Sequence, residues 1–170
     1  AREIVLIAMM CALTLCVQLL CRMTIAIRAG TAIIIASGIA LGPEAGFLIG
    51  ALSRFVLNFY EGQGPWTPWQ MYAWGLVGYV GGVLGERGLL ERPPVLYGWG
   101  LLSGLVYGLF LNGYHILGYV HPLTWQAAAL ACVASLPLDV THGVATVVFL
   151  AAIWLPWGRT IRRVVAKYGL

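Results

Sequence analysis

Two pairs of polar side chains stand at helical spacing in a sequence that is otherwise largely apolar. Asn112 and His115 are three residues apart, and so are Asp139 and His142, which places each pair on one face of a helix. Ionisable and amide groups are costly in lipid and usually face a cavity or a partner. We therefore expect both pairs to point into one outward-facing cavity. The alternative is that Asp139 pairs with His142 or caps its helix.

The Asp139 and His142 pair has the chemical groups needed either for acid–base catalysis or for binding a metal. As an acid–base pair it would make the chain an intramembrane enzyme, and one Asp with two or three His side chains could hold zinc. Neither is favoured, because no ligand pair has a recognised metal-binding spacing and no Gly-x-Ser-x-Gly or His-Glu-x-x-His motif occurs. The sequence predicts a binding role with no catalytic residue, no metal and no cofactor.

A polar and aromatic segment, residues 58–74, interrupts the apolar sequence. Pro65 and Pro68 fix φ and remove two backbone donors, so a helix cannot continue through the segment. An interfacial aromatic belt explains a single Trp equally well, but a belt does not need the interspersed amide and acidic side chains. We interpret residues 61–68 as a loop that covers a ligand site. The substrate-binding residues predicted from this segment are Asn58, Tyr60, Trp66, Trp69, Gln70 and Trp74.

The composition is that of an integral membrane protein. Of 170 residues, 61% are hydrophobic and only 9% are charged, too few for the surface of a soluble domain of this size. The ten Lys and Arg residues are scattered rather than gathered into a nucleic-acid-binding stripe. The four cysteines are interpreted as ordinary small buried residues. We predict one transmembrane substrate-binding domain over residues 1–170.

Six helices are predicted, because roughly 20 helical residues span a bilayer. The second is short and stops at Gly42-Pro43, and residues 118–136 are expected to form a long loop carrying an interfacial helix. The sixth helix then starts at Pro137. Glycines such as Gly46 and Gly78 are predicted to pack inside the bundle. The fold class is thus an all-α six-transmembrane-helix bundle with structured extracytoplasmic loops, and its approximate helices are 3–22, 29–41, 44–60, 69–85, 95–117 and 137–155.

The basic residues predict the orientation of the bundle. Most of them fall on one side, which the positive-inside rule makes cytoplasmic, together with both termini. Arg22 and Arg28 are exceptions on the outer side, where the aromatic loop also lies. Arg54, inside helix three, must reach outward or pair, either with Asp139 or with an acidic group of a ligand. The residues on the cytoplasmic side are Arg2, Arg87, Arg92, Arg159, Arg162, Arg163 and Lys167.

Over nearly its whole length the chain resembles the substrate-binding S components of energy-coupling factor (ECF) transporters, which are prokaryotic vitamin importers. Four motifs in this order carry the resemblance, together with the six predicted helices. The alanine pair is a weak signal alone, and the ordered combination is more specific. The motifs are Ala8-x-x-x-Ala12, Gly42-Pro43, GPWTPWQM at residues 64–71, and LPLDVTHG at residues 136–143.

The resemblance implies a non-catalytic subunit of the prokaryotic cell membrane. Such a subunit captures a vitamin outside and delivers it inward with a transmembrane coupling subunit and two ATP-binding subunits. By similarity, Ala8 and Ala12 would contact the coupling subunit, the alternative being packing within the protein. The aromatic loop and the LPLDVTHG segment look most like members that take cobalamin or a precursor, so cobalamin is the expected ligand. An intramembrane enzyme using Asp139 and His142 is the alternative function.

Overall fold

A computed structural model describes residues 2–21 and 28–168 of the chain. The described residues form helices and short connections, with no strand among them. A single 3-10 turn, Leu89–Glu91, precedes the fifth helix. Arg22, predicted to lie on the outer side, falls outside the described residues. The helices are α1 (Arg2–Cys21), α2 (Gly30–Leu41), α3 (Pro43–Glu61), α4 (Thr67–Glu86), α5 (Pro93–Tyr119) and α6 (Trp125–Tyr168).

The helices identify a membrane protein. Among the residues that the structure describes, three stretches are long and apolar enough to cross a bilayer: Arg2–Cys21, Pro93–Tyr119 and Trp125–Trp154. The 12-residue α2 is apolar but shorter, which confirms the predicted short second helix and its break at Gly42-Pro43. The chain is therefore an all-helical, multi-pass membrane protein.

The predicted long loop over residues 118–136 is wrong, because α6 already begins at Trp125 and runs for 44 residues. Pro137 lies inside this helix rather than in its first turn. Pro137 has no backbone N–H, so the helix continues past it without the hydrogen bond that this group would donate to the Val133 carbonyl oxygen. One turn later, the Thr141 hydroxyl donates to the Pro137 carbonyl oxygen at 2.7 Å. At 1.5 Å per residue, α6 is about 66 Å long.

Glycines allow α2, α3 and α4 to pack backbone against backbone. A Cβ added to Gly46 would lie 2.6 Å from the Gly78 carbonyl oxygen, and one added to Gly38 would also meet Gly78. A Cβ on Gly50 would meet the Trp74 carbonyl group. Side chains larger than hydrogen do not fit at these positions, so the predicted packing of these glycines inside the bundle is confirmed.

The buried stripe of α6 changes character along the helix. Asp139, His142 and Thr146 are buried at one end of the stripe, and Leu150 and Trp154 at the other. Their spacing of three and four residues keeps all five on one face. The polar end of this stripe faces the same level of the bundle as the buried polar residues of α3 and α4.

The two ends of the bundle differ in charge and composition. At the basic end, Arg162 of α6 bonds to Glu91 in the α4–α5 connection at 2.6 Å, and the turn at Gly42 lies close to Glu86. The opposite, aromatic end carries residues 62–66 between α3 and α4 and residues 120–124 between α5 and α6.

The glycine contacts predict the effect of adding one methyl group. Gly78→Ala should lower the free energy of unfolding by about 1–3 kcal/mol, the usual range for overpacking, because its Cβ meets the α3 backbone. Gly98→Ala, on an exposed face of α5 with no atom within 4 Å of its Cβ, is the matched control and should be neutral or slightly stabilising. Thermal unfolding in detergent measures both. Equal unfolding temperatures for the two variants would contradict the close α3–α4 contact.

Candidate functional site

Gln70 connects α4 to α3 through its side-chain oxygen. Arg54 Nε donates to Gln70 Oε1 at 3.0 Å, and Asn58 Nδ2 donates to the same oxygen at 2.7 Å. The three side chains are buried: Arg54 is 3% exposed, Asn58 0% and Gln70 9%. In a protein surrounded by lipid, such groups need partners inside the bundle. This connection fixes the rotation of α3 relative to α4.

Arg54 is also paired with an acidic side chain, but not with the one considered from the sequence. Its Nη2 lies 2.8 Å from Glu61 Oε2, and its guanidinium carbon lies 5.3 Å from the centroid of the Trp74 ring. Glu61 is seven residues further along α3, two helical turns away and within reach of an arginine. A pair between Arg54 and Asp139 is therefore wrong, since α6 packs on α2 and α5 rather than on α3.

Thr67 closes the connection between α3 and α4. Its Oγ1 accepts from Asn58 Nδ2 at 3.0 Å and from the Gly64 backbone N–H at 3.2 Å. The same hydroxyl donates to Gln63 Oε1 at 2.9 Å. Thr67 therefore orders residues 62–66 and links them to the buried amide network.

A second set of hydrogen-bonded polar side chains links α5 and α6. Asn112 Nδ2 donates to Ser135 Oγ at 2.6 Å, and Ser135 Oγ lies 2.8 Å from Asp139 Oδ2. Asp139 is 8% exposed, and its carboxylate occupies the space where a side chain at Gly108 would lie. The partner of Asp139 is thus Ser135, one turn earlier on α6. Asp139 does not cap the helix, because α6 starts fourteen residues before it.

Tyr107 joins the two polar regions. Its ring centroid is 6.1 Å from that of Trp74, and the guanidinium carbon of Arg28 lies 6.0 Å from the Tyr107 ring centroid. Arg28 is also close enough to interact electrostatically with His142. We name the side chains of the two polar regions, with Tyr107 and Arg28 between them, the polar band; it extends from α3 to α6. It consists of Arg28, Arg54, Asn58, Gln70, Trp74, Tyr107, Asn112, Ser135, Asp139 and His142.

Three buried atoms of the polar band have no hydrogen-bond partner within the described residues: Arg54 Nη1, Asn58 Oδ1 and the Tyr107 hydroxyl. A buried polar group left without a partner costs about 1–3 kcal/mol. The first is a donor, the second an acceptor, and the third can act as either. Arg54 and Tyr107 both lie against the Trp74 ring, and Asn58 is linked to Arg54 through Gln70. Water or a bound molecule can supply the partners that such atoms lack.

Four of the ten predicted substrate-binding residues lie apart from the polar band. Tyr60 is 70% exposed and Trp66 is 36% exposed, both at the aromatic end. Trp69 faces Tyr114 on α5 with ring centroids 6.1 Å apart. His115 is exposed and stacks on Tyr119. The structure groups the other six in two places, with Asn58, Gln70 and Trp74 between α3 and α4, and Asn112, Asp139 and His142 between α5 and α6.

The sequence-based selection did not include Tyr107 and Ser135. Tyr107 continues a buried stripe of α5 with Trp99, Gly100, Ser103 and Gly104, and this spacing of three and four was a usable signal. Ser135 lay in the stretch predicted as a loop, so its position one turn before Asp139 on a helix was not considered.

No cluster of three or more His, Cys, Asp or Glu side chains occurs in residues 2–21 and 28–168. The described part of the chain thus presents hydrogen-bonding and aromatic groups rather than a set of metal ligands.

Ala8 and Ala12 lie on the exposed face of α1. The opposite face buries Cys11, Thr14 and Gln18 against the bundle. Within the described residues α1 packs mainly on α2 and α3, and most of its surface is not buried.

Comparison with known proteins gives one result. The model of the family described as "ECF-type riboflavin transporter, S component" matches residues 1–156. Searches of curated proteins and of solved structures found no significant match. The family match covers the three candidate membrane spans and the whole of the polar band.

The hydrogen bonds of Thr67 predict how residues 62–66 respond to its loss. Thr67→Val keeps the shape of the side chain but removes three hydrogen bonds, leaving Asn58 Nδ2 with one partner fewer. We expect faster amide hydrogen exchange over residues 62–70, with local protection reduced by about 1–3 kcal/mol. Thr141→Val, which removes one exposed bond within α6, is the control and should leave this region unchanged. Hydrogen-exchange mass spectrometry that showed equal protection in both variants would contradict the role of Thr67.

Proposed function

Because this chain belongs to the family of ECF-type riboflavin transporter S components, we propose that it binds riboflavin on the polar band. Members of this family are substrate-binding subunits of ECF importers and are not enzymes. They work with a membrane coupling subunit and with ATPases. The intramembrane-enzyme alternative for Asp139 and His142 is accordingly set aside.

The observation that carries the proposal is the set of three unpartnered atoms of the polar band. The pyrimidine edge of a flavin ring offers carbonyl acceptors and one N–H donor. Arg54 Nη1 and the Tyr107 hydroxyl can donate to the carbonyl oxygens, and Asn58 Oδ1 can accept from the N–H. The flat ring also suits the aromatic side chains of Trp74 and Tyr107, because aromatic pairs contribute about 0.5–1.5 kcal/mol beyond area burial.

The α5–α6 side of the polar band supplies partners for the hydroxyl groups of the ribityl chain. Asp139 can accept hydrogen bonds from these hydroxyl groups, and His142 is buried on the same face of α6. Asn112 is linked to Asp139 through Ser135. We propose these three residues as contacts to the polar tail. Tyr60, Trp66, Trp69 and His115 then form the interfacial aromatic belt at the aromatic end rather than the site itself.

Riboflavin replaces cobalamin as the proposed ligand. The resemblance of the aromatic loop to cobalamin-type members is a feature of the segment at residues 58–74, whereas the riboflavin-type family model covers residues 1–156. The cobalamin prediction has no support from this match. A direct titration with both molecules distinguishes the two.

We further propose that all six α-helices cross the membrane, with the basic end and both termini in the cytoplasm. The Lys and Arg residues that follow Trp154 and those in the α4–α5 connection favour that side. Because the number of crossings is even, both termini lie on this same side. The aromatic end, with the loop at residues 62–66, then faces outward, and a ligand reaches the polar band from that end.

Removing the Tyr107 hydroxyl group tests both the identity of the ligand and the position of its binding site. Tyr107→Phe should weaken riboflavin binding about fivefold, because a hydrogen bond worth about 1 kcal/mol is lost and 1.4 kcal/mol corresponds to tenfold. Folding should be unaffected, since this hydroxyl has no partner among the described residues. Tyr79→Phe, which removes the same atom from an exposed position on α4, is the control.

Isothermal titration of the purified chain in detergent measures both variants, with cobalamin titrated in parallel. If Tyr107→Phe and the wild type bound riboflavin with equal affinity, the proposed position of the site on the polar band would be wrong. Binding of cobalamin without binding of riboflavin would overturn the proposed ligand.

Bulky residues on the exposed face of α1 test the contact with the coupling subunit. We propose that Ala8 and Ala12 allow a helix of that subunit to approach closely, so Ala8→Trp with Ala12→Trp should abolish uptake. Ligand affinity should be unchanged, because both alanines are exposed and are not among the α1 residues that the bundle buries. Ala152→Trp, at an exposed position on α6, is the control and should transport normally. Loss of ligand binding in the double variant would assign the alanines to internal packing.

A further inference from the structure

A cavity of about 340 Å³ lies at the basic end, remote from the polar band. It is formed where the α4–α5 connection and the start of α5 meet the last third of α6. One side of it is apolar and the other is charged. The apolar side is formed by Leu90, Leu96 and Trp154, and the charged side by Glu91, Arg159 and Arg162.

The part of α6 beside this cavity is strongly basic. Between Trp154 and Tyr168 the helix carries no acidic residue and four basic ones. The candidate membrane span of α6, Trp125–Trp154, has 30 residues and is about 45 Å long at helical rise. The hydrocarbon core of a bilayer is about 30 Å thick, so this span is long enough to cross it. Trp154 ends the span, and tryptophan is enriched at the boundary between hydrocarbon and headgroups. With Trp154 at that boundary, Arg159 lies about 7.5 Å further along the helix, at the headgroup layer, and the Arg162 side chain reaches back to Trp154.

Both guanidinium groups of the cavity are available to an anion. Arg162 Nη1 lies 2.6 Å from Glu91 Oε1, but the two side chains are 42% and 59% exposed, and ion pairs this exposed are weak. Arg159 has no ion-pair partner in the part of the chain that the structure describes. The guanidinium of Arg162 lies over the Trp154 ring at 5.4 Å, which holds it at the border between the apolar and charged sides.

We propose that this cavity binds the phosphate group of an anionic phospholipid. A guanidinium offers paired N–H donors that match the oxygens of a phosphate, and basic pockets between membrane helices are suited to such headgroups. A free phosphate ion shares this chemistry, but it makes no use of the adjoining apolar side. Leu90, Leu96 and Trp154 provide the surface that a glycerol group and the start of an acyl chain contact.

Glu91 gives the site an internal competitor. Its carboxylate accepts a hydrogen bond from the Arg162 guanidinium, at the position where a phosphate would bind. A lipid phosphate therefore replaces Glu91 on Arg162 and adds Arg159 as a second partner. Neutralising Glu91 should consequently strengthen lipid binding, an effect opposite in sign to that of neutralising either arginine.

Native mass spectrometry of the full chain, titrated with phosphatidylglycerol in detergent, tests the proposal. Arg159→Gln with Arg162→Gln should weaken phosphatidylglycerol binding by about tenfold or more, and Glu91→Gln should strengthen it by about threefold. Arg163→Gln removes the same charge from the neighbouring residue, which does not line the cavity, and should change affinity less than about twofold. Unfolding temperatures establish that each variant is folded.

The ligand's source is distinguished by two further titrations. Phosphatidylcholine, whose headgroup carries no net charge, should bind weakly, and inorganic phosphate in large excess should not displace phosphatidylglycerol. Displacement by inorganic phosphate would overturn the lipid assignment in favour of a free anion. An equal loss in Arg163→Gln would reduce the site to general electrostatic attraction to a basic surface. Equal binding of phosphatidylcholine would overturn the selectivity for an anionic phospholipid. None of these titrations measures riboflavin binding, so they test the lipid site independently of the proposed substrate.

Discussion

Close backbone contact between α3 and α4 is the constraint on which the polar interior depends. Lipid supplies no water to a buried amide or guanidinium, so each such group must find its partner within the bundle. Gly46, Gly50 and Gly78 remove the side chains that would hold the two helices apart. At the resulting separation, Gln70 reaches both Arg54 and Asn58. Wider spacing would leave several buried polar atoms without partners at once, at a cost of about 1–3 kcal/mol each.

Helix positions were largely predictable because glycine, proline and charge interrupt an apolar sequence in recognisable ways. Gly42-Pro43 ends α2, and the two prolines at residues 65 and 68 stand where α3 stops and α4 begins. Pro137 misled the prediction, since a proline in the first turn and a proline tolerated inside a membrane helix look alike in sequence. The difference depends on whether the residues before the proline are themselves helical, as they are here from Trp125 onward, and a local sequence pattern does not determine that.

The site was less predictable than the fold because chemistry alone does not say which way a side chain faces. Asp139 and His142 are predicted as costly groups in lipid, and Asn58 and Gln70 as polar groups of the aromatic segment. The structure buries all four. His115 satisfies the same criterion, yet it stacks on Tyr119 at an exposed position. Tyr107 was overlooked because a single tyrosine is unremarkable in composition. Its importance comes from contact with Trp74 and Arg28, which lie far from it in the chain.

The continuity of α6 has a mechanical consequence. Had residues 118–136 been a loop, Asp139 would sit at the hinge between a mobile connection and a short helix. Instead it sits within a rod that extends about 35 Å onward to Arg162. Tilting such a rod by about 5° at Asp139 would move Arg162 by about 3 Å, provided the turn at Pro156 stays stiff. Small displacements of α6 at its contacts near the aromatic end are thereby amplified at the basic end.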